Sequence, residues 1–456
     1  MKSITGIMAD FAKSLSFNDI PDTAVWEAKR FLLDSIGCAM AAVGSEDMVS
    51  MQHYVESLGG VPEATVIGSG YCTNMANAGL MNSLLIRALD YNDIYWEQDP
   101  SHPSDMIGIA LSCGEVLGKS GKDILTAILI AYELEMRWCH AAHPGIREIG
   151  WHHATLTQFV SPFVAGKLMG LNEEQMMAAA GIGGSSHFTL GGVVAGHLTN
   201  MKNMADPFAA QAGIYAALMA REGITGSEYV LEGKEGLFEV LKSVEWRPEE
   251  LTRNLGEEFL ITRCGYKAYP TEALTHQPIS AAIQICKENN LKAEDIVEIH
   301  VETTTRGADI LSDPSKYAPD TKETADHSLP YVIAAAIADG NVFPDSFSEE
   351  KLQDPRIRGL LKKIHVTADP EIDSMFPKIK RARVHILALD GQIFSAQVDD
   401  AKGTPNNPMS DREIEEKFKA NSRYCLPSER CNVIIDETWN FGEITNIKNF
   451  MQLLTK

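Results

Sequence analysis

The chain has no long apolar run, no cysteine pair at metal-binding spacing and no excess of basic charge, and each absence removes a class of function. No stretch is long and apolar enough to span a bilayer, and the start, Met1-Lys2-Ser3-Ile4-Thr5-Gly6-Ile7-Met8-Ala9-Asp10, lacks the apolar core of a signal peptide. The expectation is a cytoplasmic protein with no membrane partner. Its eight cysteines, at 38, 72, 113, 139, 264, 286, 425 and 431, include no C-x-x-C pair, so they read as reduced structural thiols and not as ligands of an iron-sulfur cluster. Forty Lys and Arg face 62 Asp and Glu, a net charge of -22, which argues against nucleic acid as a partner, because that surface demands clustered positive charge. G-x-G-x-x-G, phosphate-loop and H-E-x-x-H patterns are also missing, so no cofactor and no metal are expected.

What is present is a change of texture along 456 residues, a length that accommodates two domains. From about Ser3 to Leu260 apolar residues recur at three- and four-residue intervals, predicting helices over Asp22 to Ala42, Asn74 to Ala88, Asp123 to His140, Leu156 to Met169 and Glu173 to Ile182. Small residues such as Asp34-Ser35-Ile36-Gly37-Cys38-Ala39 point to close backbone packing. After Cys264 strands alternate with helices: Ile296 to Glu302, then a hairpin of Arg383 to Leu389 and Gln392 to Val398 about Asp390-Gly391, with helices at Gln277 to Glu288, Pro330 to Asp339 and Asp354 to Lys363. A polar linker, Asp399 to Pro408, precedes Ser410-x-x-Glu413, a capping box. The fold class is therefore mainly α with a smaller α+β domain.

Chemistry concentrates where polar residues interrupt apolar helices. Asp90-Tyr91-Asn92-Asp93 and His102-Pro103-Ser104-Asp105 form one short acid- and histidine-rich loop, since Asp99-Pro100 and His102-Pro103 forbid a continuous helix. Such scaffolded loops carry binding and catalytic groups, although Asp90 can equally be a surface acid at a helix end. His152-His153 precedes an apolar helix, so one imidazole is expected to face a pocket and the other to face outward; adjacent histidines do not share the helical face that metal ligation uses. Lys202, taken alone, is an ordinary solvated lysine, and His187 and His197 carry no motif. Glu323-Thr324-Ala325-Asp326-His327-Ser328-Leu329-Pro330-Tyr331 opens an apolar helix, for which Asp326-His327-Ser328 are either caps or catalysts.

The first loop, the Glu323 to Tyr331 motif, Gly150-Trp151-His152-His153, the Lys202 segment, Gly223-Ile224-Thr225-Gly226 and Lys267-Ala268-Tyr269-Pro270-Thr271-Glu272 together resemble the 2-methylcitrate dehydratase (MmgE/PrpD) family in family order. The resemblance implies a large all-helical domain, residues 1–262 plus 405–456, and an α+β lid domain, residues 263–404, enclosing a cleft. It implies a homodimeric hydro-lyase of propionate catabolism that dehydrates a di- or tricarboxylate, 2-methylcitrate to 2-methylaconitate, by metal-independent acid-base catalysis. Asp90, His102, His153 and Tyr331 are the implied catalytic residues, and Lys202, Lys267, Asp93, Ser104 and His276 the implied substrate-binding ones. The spacing of Asp90 and His102 points toward dehydratases over cis-aconitate decarboxylases; a decarboxylase, an iminodisuccinate epimerase-like enzyme and a non-catalytic polycarboxylate binder are the alternatives. Two departures stand out: Ile94 replaces the common Thr after Asn-Asp, and His152 replaces the Asp of Trp-Asp-His.

Overall fold

Helices form where apolar spacing predicts them: Asp22–Ala42, Met75–Arg87, Ile107–Leu117, Gly121–Ala141, Ala154–Met169, Glu173–Gly183 and Met201–Arg221. The computed structural model describes residues 2–195 and 198–456; His197 lies outside them. Among the described residues no helix is long and apolar enough to cross a membrane. These helices share one hydrophobic core running from Met8 to Tyr266, and Met409 to Leu454 return to it. Their backbones approach closely because of small residues. A Cβ on Gly108 would lie 2.3 Å from the Ser83 nitrogen, and one on Gly213 would lie 2.4 Å from Ser161 Oγ. The first contact seats the helix that follows the Asp90–Asp105 loop directly against the helix that precedes it.

A second core, Leu274 to Ile386, belongs to the α+β part. Its sheet comprises β1 (Ile296–Thr303), β2 (Ile364–Ala368), β3 (Ala382–Ala388) and β4 (Ile393–Val398) in the order β4-β3-β1-β2, with only β1 and β2 parallel. Along β3, Ala382, Val384, Ile386 and Ala388 are buried while the residues between them are not, as period-two alternation requires. Helices His276–Asn289 and Leu329–Asp339 cover the sheet's inner face. The hairpin forms as expected, whereas β2 departs from the expectation: Ile364–Ala368, three of its five residues exposed, pairs alongside β1 directly after helix Pro355–Leu361.

The C-terminal helix Asp411–Ser422 begins at the Ser410–Glu413 capping box and lies against Asp22–Ala42. It carries Lys417 into the interior. The ammonium sits 2.7 Å from Asp34 Oδ1 and donates to the carbonyls of Tyr91 at 2.8 Å and Lys267 at 2.9 Å. One buried cation thus ties together a helix, the Asp90 loop and the Lys267 loop. Lys417→Met leaves Asp34 buried without its counter-ion and is expected to cost about 3–5 kcal/mol. Denaturant unfolding checks this, with Asp34→Asn in the Lys417→Met background expected to recover part of the loss; a single variant as stable as the parent removes Lys417 from this role.

Candidate active site

The Asp90–Asp105 loop is buried and is not a solvated turn. Asp90 itself has φ of 49°, a left-handed conformation that Asp tolerates better than most residues, and this turns its carboxylate back beneath the preceding helix. Arg87, Lys202 and Lys267 surround it: Arg87 Nη1 is hydrogen-bonded to Oδ1, Lys267 Nζ is 3.0 Å away and Lys202 Nζ is 3.4 Å away. Burial opposes ionisation of Asp90, but the three cations overcome it and hold the carboxyl well below the usual carboxylate range. Asp105 flanks Arg87 on the other side, with its Oδ2 3.7 Å from Arg87 Nε.

The two lysines are not equivalent. Lys267 Nζ also donates to the carbonyls of Asp90 at 3.1 Å and Thr271 at 3.0 Å, so with the Asp90 carboxylate all three of its protons are engaged. It contributes charge and holds the loop. Lys202 lies in the first turn of Met201–Arg221, one turn before Asp206, and among the described residues its ammonium has no hydrogen-bond partner. Burial pushes its pKa down to about 8 against the pull of Asp90.

Four histidines line the same cavity: His102, His152, His153 and His327. His102 Nδ1 donates to the Asp93 carbonyl at 2.6 Å, which leaves Nε2 as the lone-pair nitrogen. Burial, followed by the charges of Arg87 and Lys267, holds this ring well below its usual pKa and therefore neutral. The His153 ring lies 5.1 Å from that of His102, and its Nε2 is 3.1 Å from Asp206 Oδ2. Asp206 resists the burial penalty through His153 and stays ionised, while burial lowers His153, so the proton on Nε2 faces the carboxylate and Nδ1 is left unprotonated. Thr157 donates to the other Asp206 oxygen at 3.2 Å.

His152 faces the cavity and not the outside, contrary to the expectation from sequence. Both residues precede the helix Ala154–Met169, His153 as its N-cap, and their ring centroids lie 3.8 Å apart. Ligand-type atoms of His152, His153 and Asp206 lie within 4.8 Å of one another, a spacing compatible with a metal ion. The His152 tautomer argues against ligation, because Nδ1 accepts the Ala154 N–H at 3.2 Å and the ring proton then resides on Nε2. That N–H is a buried donor without a partner among the described residues.

Two family sequence domains account for most of this arrangement: the MmgE/PrpD N-terminal domain matches residues 6–249 and the MmgE/PrpD C-terminal domain matches residues 269–441. The chain belongs to the MmgE/PrpD family. It is similar to the cis-aconitate decarboxylase of Mus musculus, 24% identical over 100% of this chain and 94% of that one. It is also similar to an alkylcitrate dehydratase of Fungal sp. (strain ATCC 74256), 26% identical over 91% of this chain and 86% of the relative, and to the 2-methylcitrate dehydratase of Cupriavidus necator, 24% identical over 76% and 73%. Decarboxylases and dehydratases match at similar identity, the decarboxylases over more of the chain. Within the MmgE/PrpD C-terminal match, residues 411–439 pack into the helical core and not into the α+β part.

Seen in this MmgE/PrpD chain, the expected site residues fall into four groups. Asp90, His102, His153, Lys202 and Lys267 line one cavity. Asp93 and Ser104 lie beneath it and satisfy each other, with Ser104 donating from Oγ at 2.6 Å and from its backbone N–H at 3.0 Å; they brace His102 and present nothing to the cavity. His276 lines an adjoining cavity that shares the wall residues Ile94, Trp96 and Ala273. Tyr331 requires correction. Its hydroxyl donates to the Ser346 carbonyl at 2.7 Å and its ring belongs to the core of the α+β part, because Ser328 caps helix Leu329–Asp339 at the Tyr331 N–H and residues 329–337 of that helix are buried. Of the preceding residues, Ser328 is thus a cap, while His327 lines the cavity, bonded through Nδ1 to Asp326.

Sequence reasoning missed Arg87, Arg147, Asp206 and Arg306. Asp206 had a signal, its four-residue spacing from Lys202 on one helix face, and Arg87 had its three-residue spacing from Asp90. Arg147 and Arg306 had none. With Asp206→Asn, burial acts on His153 with less opposition, so its pKa is expected to fall further. Histidine NMR titration checks this, and an unchanged His153 titration means that Asp206 does not hold the ring.

Proposed function

We propose that the protein is a lyase acting on a citrate-like polycarboxylate, and that its first reaction is removal of water from a hydroxy polycarboxylate, 2-methylcitrate to 2-methylaconitate. The observation that carries this reading is the pairing, in one cavity, of unprotonated imidazole nitrogens with an ammonium whose pKa lies at about 8. Elimination needs both a base and an acid. His102 Nε2 or His153 Nδ1 takes the proton from the carbon next to a carboxylate. The C–H electron pair becomes the double bond, and the hydroxyl leaves with a proton from Lys202 as water. Lys202 also attracts a substrate carboxylate, and Arg87 and Lys267 add positive charge that stabilises the enolate-like intermediate. Asp90, held ionised, is the anion that keeps these cations together and not a proton carrier. The reading needs no metal.

Decarboxylation of cis-aconitate is the second reading, supported by decarboxylase relatives that match from end to end. It needs only the acid: CO2 departs, and Lys202 delivers a proton to the carbanion. The homodimer implied by family resemblance has support in the exposed apolar residues Tyr54, Leu58, Tyr215 and Met219.

A substrate panel read by product mass separates the readings, an epimerase included; a pure binder is stabilised by these acids and yields no product. Lys202→Ala is expected to lower kcat by about 10²- to 10⁴-fold. Ile94→Thr is expected to raise turnover of 2-methylcitrate, since it adds a hydroxyl to the cavity wall. For the free enzyme, kcat/KM should fall as pH rises through about 8, where Lys202 loses its proton, and should hold below pH 6.5, because burial keeps the imidazoles neutral there. An alkaline limb unmoved by Lys202→Arg excludes Lys202 as the acid.

A further inference from the structure

The lining of the cavity includes two guanidinium groups contributed by the two parts of the chain. Arg147 sits in the single turn Ile146–Ile149 of the helical part, and Arg306 in the short helix Thr305–Ile310 of the α+β part; both line the cavity that holds Lys202. Each is held in place. The Asp99 carboxylate accepts the N–H groups of Ile146 at 2.8 Å and Arg147 at 3.2 Å, and a Cβ on Gly145 would collide with that carboxylate at 2.3 Å, so the turn fits only as built. Arg306 pairs with Glu148 at 2.9 Å, and its guanidinium carbon lies 5.9 Å from the centre of the Trp96 ring.

Among the described residues Arg147 has no carboxylate within ion-pair distance. After burial, the largest influence opposing its charge is Arg306 itself. Two like charges brought across a domain boundary toward the same space are stabilised by an anion lying between them, and a guanidinium fork matches a carboxylate in shape as well as charge. We infer that Arg147 and Arg306 form a second carboxylate subsite, spanning the two parts of the chain, that takes the end carboxylate of an extended substrate whose other carboxylates lie toward Lys202. This rests on the polycarboxylate reading above and narrows it to acids long enough to reach both ends. It also makes substrate the bridge that holds the lid against the helical part.

Calorimetry with propane-1,2,3-tricarboxylate and with malonate, too short to span, tests the subsite in the full-length protein. Arg147→Gln and Arg306→Gln, each checked for an unchanged melting temperature, are expected to weaken tricarboxylate binding by about tenfold and to leave malonate binding as it was. Because both side chains serve one carboxylate, the double variant should lose little more than either single variant. Arg147→Lys, which keeps the charge and loses the fork, should fall between parent and Arg147→Gln. Folded variants that bind the tricarboxylate as the parent does, or losses that simply add, overturn the subsite, as does a parent with no preference for the tricarboxylate. Turnover is read separately. A tricarboxylate preference without product sinks the lyase reading and leaves the subsite standing, whereas product formation with binding unaffected by either Arg variant does the reverse.

Discussion

The arrangement depends on the Asp90 carboxylate, the anion that lets Arg87, Lys202 and Lys267 occupy one buried space. Burying an unpaired charge costs several kcal/mol, and three cations without an anion could not stay charged together. With one carboxylate among three cations, the pairing leaves an excess of positive charge. That excess suits a polyanion, and it develops inside a protein whose overall charge is -22. Acidic composition therefore says nothing against anion binding once the local field is built from buried groups.

The same field sets the protonation of the histidines. His102 is neutral because burial and the neighbouring Arg87 and Lys267 both penalise a second proton, and its tautomer follows from a carbonyl that can only accept. His153 is oriented from the other direction, by a carboxylate. The cavity thus presents lone pairs beside an ammonium, the pairing that the proposed elimination uses. Supporting contacts arrive from far along the chain. Lys417 reaches Tyr91 and Lys267, while Lys322 of the lid donates to the Ala88 carbonyl at the end of the helix that precedes Asp90.

Much of the fold was legible because it rests on periodicity. The predicted hairpin and most helices form within a few residues of their expected bounds, and the capping box at Ser410 holds as read. β2 was missed because its partly exposed residues carry little alternation, and β1 supplies its pairing partner. For the site, the motifs Asp90 to Asp105, Trp151-His152-His153 and the Lys202 segment fall on one cavity. They did not say which polar atoms were already satisfied. Lys267 looked like Lys202 until its hydrogen bonds were counted, and Tyr331 looked inward-facing until helix register placed its hydroxyl on Ser346.

Residue order alone determined the class of the protein: a helical part, a smaller α+β part and family motifs in sequence, since these depend on local spacing and on the kinds of residue present. Tertiary structure decided what each charged group can do. Protonation, tautomer and availability for a ligand depend on burial and on neighbours within a few ångströms, and those neighbours come from positions as distant as 87, 202, 267 and 417. The meeting of Arg147 and Arg306 is the clearest case, because nothing near either residue in the sequence marks it, and only the packing of the lid against the helical part brings them to one wall.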